Sequence, residues 1–84
     1  MKVIILDIET SGLIAQDDFI TCVGLYSDEG IVQFATTKPD YESEVLSEFL
    51  NHLSFLPSDT VLVTYNGNKF DIPFILTRLS HHGL

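Results

Sequence analysis

Lys2-Val3-Ile4-Ile5-Leu6-Asp7-Ile8-Glu9-Thr10-Ser11-Gly12-Leu13 is the stretch that decides the fold. From Lys2 to Ile8 it is apolar up to Asp7, the pattern of a central strand covered on both faces. Thr10-Ser11-Gly12-Leu13 breaks that pattern, with Gly12 available for a positive φ. Working outward, a second strand is expected from about Phe19 to Tyr26. Ser27-Asp28-Glu29-Gly30 then turns the chain into a third, Ile31 to Ala35, so that the first three strands form an antiparallel meander.

Beyond Lys38-Pro39-Asp40, the spacing of Val45, Leu46, Phe49, Leu50 and Leu53 predicts an amphipathic helix over about Tyr41 to Leu53. Leu56-Pro57-Ser58-Asp59 connects it to a short β-branched strand, Thr60 to Tyr65. A right-handed crossover through the helix would pair that strand in parallel with the first. Asn66-Gly67-Asn68 reads as a turn. Ile72, Ile75, Leu76 and Leu79 mark a last helix starting near Asp71, with Pro73 in its tolerant first turn. The expected fold is α/β, in the order β-β-β-α-β-α, with a mixed sheet ordered 3-2-1-4 and the fourth strand at an uncovered apolar edge.

Size and composition bound this reading. The chain has 84 residues, 45% of them hydrophobic and 11% aromatic, with three prolines and five glycines, which is the composition of one packed domain and not of a disordered chain. A chain of this length buries only about 60–65% of the surface it exposes when unfolded, so its stability is expected to be marginal. The single Cys22 can form no intramolecular disulfide and is read as a buried, inert thiol. No apolar run reaches the ~20 residues of a membrane span, and a soluble, cytoplasmic protein without membrane contact is expected. Four Lys and Arg against twelve Asp and Glu give a formal charge of −8, which opposes general capture of a polyanion. A nuclease stays open, because carboxylates that hold divalent cations are far less negative once loaded.

Three carboxylates carry the chemistry. Asp7 and Glu9 are two apart in a strand and project from one face, within reach of a shared ion. Unpaired charges at the end of an apolar strand are costly unless solvent or a cation meets them, and oxygen donors select hard ions such as Mg²⁺ or Mn²⁺. Asp71 has two readings. Directly before a helix it is a preferred N-cap, worth about 1 kcal/mol; near the carboxyl end of a strand parallel to the first, it also points at the crevice where α/β sheets bind ligands.

Leu6-Asp7-Ile8-Glu9-Thr10-Ser11-Gly12-Leu13 resembles the first exonuclease motif of the DEDD superfamily of 3′–5′ exonucleases. Tyr65-Asn66-Gly67-Asn68-Lys69-Phe70-Asp71-Ile72-Pro73-Phe74 resembles the second, as found in ribonuclease H-like exonucleases and in the proofreading domains of family B DNA polymerases. The resemblance implies a ribonuclease H-like fold in which Asp7, Glu9 and Asp71 hold two Mg²⁺ or Mn²⁺ ions for phosphodiester hydrolysis at the 3′ end of single-stranded DNA or RNA. It also implies substrate contacts from Thr10, Gly12, Leu13, Asn66 and Phe70. Core packing is the alternative for Leu13, and a plain Asn-Gly turn the alternative for Asn66.

The pattern covers nearly all of the chain but about the first half of a complete exonuclease domain. No Asp or Glu follows Asp71, so the fourth carboxylate of the family is missing. His81 and His82 are read as an exposed helix end. Two functions are therefore carried forward: a DEDD-type exonuclease, and a catalytically inactive interaction or nucleic-acid-binding module. Pairing of the fourth-strand edge with a second copy, or with a chain supplying the absent motif, is the expected mode of assembly.

Overall fold

A computed structural model describes all 84 residues. Strands β1 (Val3–Thr10), β2 (Ile20–Ser27) and β3 (Gly30–Ala35) form the meander, and β4 (Val61–Val63) adds in parallel to β1. The sheet order is β3-β2-β1-β4. Helix α1 (Glu42–Ser54) follows a short 3-10 turn at Pro39–Tyr41, and α2 (Ile72–His81) follows a π-helical turn at Gly67–Asp71. Element order and sheet order are those expected from the sequence.

Helix α1 forms because Val45, Leu46 and Phe49 line one stripe of an otherwise polar segment. That stripe, with Phe74 and Ile75 of α2, packs on Ile4, Leu6 and Ile8 of β1 and on Ile20, Val23 and Leu25 of β2. Leu46, Ile20 and Val23 are fully buried, each worth about 1.5–3 kcal/mol of transfer free energy.

Only one face of the sheet is covered, which corrects the expectation for β1. Its burial alternates residue by residue: Ile4, Leu6 and Ile8 enter the core, while Val3 and Ile5 stay 47% and 52% exposed on the other side. The residues paired with them, Val61 and Val63, are exposed as well. Both helices feed the same core, so their single layer leaves an open face carrying Val3, Ile5, Asp7 and Glu9. A continuous apolar run cannot distinguish a strand buried twice from one buried once.

Two glycines do different work from that expected. Positive φ occurs at Gly30, in the β2–β3 turn, and at Gly83, but not at Gly12. Gly12 is needed for close approach instead, because a Cβ there would collide with the Asp18 carboxylate. That carboxylate ties the loop after β1 together, accepting from the Ile14 N–H at 3.0 Å and from the Ser11 hydroxyl at 3.3 Å. Likewise Asn66-Gly67-Asn68 is not an isolated turn. The Asn66 carbonyl accepts from the N–H groups of Lys69 (3.2 Å) and Phe70 (2.8 Å) and starts the π turn. Gly67 is buried where a Cβ would collide with the Thr64 side chain.

A buried ion cluster locks the layers. The Glu42 carboxylate, with no exposed surface, accepts from the Ile20 N–H at 2.6 Å and from Arg78 Nε at 3.0 Å and Nη2 at 2.6 Å. His82 Nε2 lies 2.6 Å from it, and Arg78 Nη1 donates to the Ala15 carbonyl at 3.1 Å. His82 is thus not part of a free helix end as expected. It closes a contact across 40 residues of sequence that no local pattern encodes.

Candidate metal centre

Asp7 and Glu9 stand on the open face at the carboxyl end of β1, both exposed, because period-two alternation gives their neighbours Leu6 and Ile8 to the core. Asp71 arrives from the far side of the chain. Beyond Val63 the β4 ladder stops, and the π turn carries Asp71 to the strand edge that β4 vacates. Its side chain is 6% exposed and makes no N-cap hydrogen bond, so the capping reading falls.

Asp7 and Glu9 both act on Asp71. Burial raises the Asp71 carboxyl above its ordinary range, and the negative charge of Asp7 raises it further. The backbone amides of Ile8 and of Asp71 itself pull it back, and Glu9 adds a smaller upward push. A carboxyl held up by burial and like charge is what a cation would relieve. No three His, Cys, Asp or Glu side chains converge closely enough to enclose an ion by themselves. Hard ions such as Mg²⁺ do not require such a cage, since they usually keep several waters and bind through one or two carboxylates plus substrate phosphates. The all-oxygen donor set and its mutual repulsion fit such an ion.

Two neighbours on the open face escaped sequence reasoning. Cys22 pairs directly with Glu9 across the β1–β2 ladder and is only partly buried. Burial raises its thiol, with Glu9 and then Asp7 adding to the effect; partly exposed beside Glu9, it is not the fully buried thiol expected. Gly24 pairs with Asp7, and a Cβ there would meet the Tyr26 hydroxyl at 2.7 Å. The Tyr26 ring therefore lies across a bare backbone beside Asp7. Strand register, once the hairpin is fixed, would have found both residues.

The residues expected to meet substrate are spread around this centre. The Thr10 hydroxyl donates to the Gly12 carbonyl at 2.6 Å, which folds the loop after β1 back on itself. Leu13 is 83% exposed, which removes core packing as its role. Asn66 is exposed at the start of the π turn. Phe70 is half-buried, its ring centroid 5.3 Å from that of Phe74, and packs against the core.

A family model described as RNase_H superfamily matches residues 4–84. The chain belongs to the RNase H superfamily. Two curated relatives of this RNase H-superfamily chain are the DNA polymerase epsilon catalytic subunits B and A of Arabidopsis thaliana, each 43% identical over 51 residues. Those residues are 61% of the chain and 2% of each relative. Among solved structures, the family B DNA polymerase of the hyperthermophilic archaeon Pyrobaculum calidifontis superposes with a TM-score of 0.82 at 23% identity, over 100% of this chain and 11% of that one. That likeness establishes the RNase H-like fold. No helix is long and apolar enough to cross a membrane.

Proposed function

We propose that this chain acts in metal-dependent hydrolysis of phosphodiester bonds at the 3′ ends of single-stranded DNA or RNA, as a DEDD-type exonuclease unit spanning residues 1–84. The observation that carries this reading is that a distant π turn brings Asp71 near enough to Asp7 and Glu9, at the carboxyl end of β1, for their charge to add to burial in raising its carboxyl. Asp7 and Glu9, on the open face, and Asp71 would hold the ions. Mg²⁺ or Mn²⁺ bound there would supply an activated water and stabilise the leaving oxygen. Thr10 and Gly12 set the loop that presents Leu13 to the terminal base, Asn66 lines the strand groove, and Phe70, half-buried against Phe74, meets the substrate with its exposed part. Cleavage of an end-labelled single strand under Mn²⁺ titration tests the assignment. Activity should appear with the metal and vanish in Asp7→Ala, and equal activity in both proteins would end it.

A second reading is a module without hydrolysis of its own, completed by a second copy or by another chain. It is favoured by exposed Val61, Leu62 and Val63 at the outer edge of the sheet. Sedimentation distinguishes it: a clean monomer at high concentration, with Mn²⁺-dependent cleavage, leaves the first reading alone.

A further inference from the structure

A chain of charge −8 must place its few cations well if it is to hold a polyanion. It has four: Lys2, Lys38, Lys69 and Arg78. Arg78 is consumed by the buried Glu42 carboxylate. Lys2, which precedes β1 at the end of the sheet away from the carboxylates, pairs with Glu29 at 3.2 Å. Lys38 and Lys69 are exposed and make no ion pair.

Topology puts those two at the same end of the sheet. Lys38 follows the carboxyl end of β3, whose last residue, Ala35, pairs with Cys22, which in turn pairs with Glu9. Lys69 follows the carboxyl end of β4 and lies two residues before Asp71. Since β3 and β4 are the two outer strands, the free lysines flank the carboxylates from opposite edges.

Each lysine is accompanied by a surface tyrosine. Lys38 and Tyr41 line one concavity with Thr21 and Thr36, and Tyr41 is half-exposed. Lys69 and Tyr65 line another with Asn66 and Asn68, and Tyr65 is fully exposed. A cation for phosphate beside an aromatic face for a base is the recurrent element of single-strand binding.

We propose that a single nucleic-acid strand crosses the carboxylate end of the sheet between two lysine–tyrosine pairs, Lys38 with Tyr41 at the β3 edge and Lys69 with Tyr65 at the β4 edge. Three strand spacings of ~4.8 Å separate the edges by roughly 14 Å. At a stacked rise of ~3.4 Å that distance spans about four nucleotides. Tyr41 and Tyr65 stack bases at the two ends, and Lys38 and Lys69 each neutralise a phosphate. The linkages between them are thereby carried over Asp7 and Glu9. The path rests on the nuclease reading above.

The test is fluorescence anisotropy with a labelled ten-nucleotide oligothymidylate whose phosphorothioate linkages resist cleavage, at fixed Mg²⁺ and varied KCl. Binding of the parent chain should weaken with salt at a log–log slope of about −1.4, and Lys38→Gln or Lys69→Gln should each reduce it to about −0.7. Tyr41→Leu and Tyr65→Leu should each weaken binding by about fivefold or more without changing the slope. Lys2→Gln should change neither. If the parent binds while Lys38→Gln and Lys69→Gln match it, or Lys2→Gln weakens binding as they do, the path is wrong and the nuclease reading survives. A parent chain that binds no oligonucleotide overturns both. Protection of Lys38 and Lys69, but not Lys2, from acetylation by the bound oligonucleotide would support the path independently.

Discussion

Glu42 and Asp71 are both buried carboxylates, yet their surroundings drive them in opposite directions. Burial pushes each upward. At Glu42 the Arg78 guanidinium, the Ile20 N–H and His82 outweigh it, so the carboxyl lies below its ordinary value. At Asp71 the neighbours Asp7 and Glu9 add to burial, and the carboxyl lies above it. The first site is complete within the chain and holds the fold together. The second stores electrostatic cost that the chain alone does not relieve, which is the arrangement of a binding site.

The largest effect should come from breaking the complete site. Glu42→Ala leaves Arg78 buried without its partner and should cost about 3–5 kcal/mol, a large fraction of the roughly 4–12 kcal/mol expected for a domain of this size. Urea denaturation followed by circular dichroism measures it, and a loss below about 1 kcal/mol would remove Glu42 as the clasp between layers.

Filling the incomplete site should act in the other direction. Mn²⁺ at about a hundredfold excess over its Kd adds about 2.7 kcal/mol, which raises Tm by roughly 10 °C or more for a chain of this length. Asp7→Ala should abolish that rise, and by removing the charge that opposes Asp71 it should leave the metal-free Tm at or slightly above the parent's. An equal rise in both proteins would place the ion elsewhere.

A smaller and more pointed contrast comes from Asp71→Asn, which removes a charge that burial and Asp7 oppose. In EDTA at neutral pH this variant should melt above the parent, and with Mn²⁺ it should melt below it. Removing a carboxylate from a site already satisfied, as at Glu42, gives no such reversal.

The smallest effect is in the pH dependence of stability. Glu42 titrates below its ordinary 4.5 in the folded chain, so its contribution is full above that value and lost as pH falls through the lowered one. Asp71 titrates above its ordinary 3.8, so its contribution is present in acid and lost as pH rises through the raised value. Stability curves of Glu42→Gln and Asp71→Asn in EDTA should therefore lose opposite limbs of the parent's profile.

What the sequence revealed follows the range of the interactions involved. Strand and helix periodicities are local, so the meander, α1, the crossover and the edge position of β4 were all legible. The pairing of Asp7 with Glu9 was legible because two residues on one strand need no tertiary knowledge. The open face was not, because an apolar run at Val3 to Leu6 looks the same whether one layer or two will cover it. Nor was the Glu42–Arg78–His82 cluster, whose members fall on the ends of two helices and whose types read as ordinary surface residues. Gly12 and Gly67 were noticed as glycines, but their requirement lies in Asp18 and Thr64 pressing on the backbone and not in φ.

The ladder joining β1 to β4 also sets the order in which the molecule can be completed. The hairpins β1–β2 and β2–β3 close short loops, whereas the Val3↔Val61 pairing closes the longest loop in the sheet and is its most entropically expensive contact. Asp71 reaches Asp7 only after that closure. The carboxylate centre is therefore a product of finished folding: a chain stalled at the meander displays Asp7 and Glu9 without Asp71 beside them.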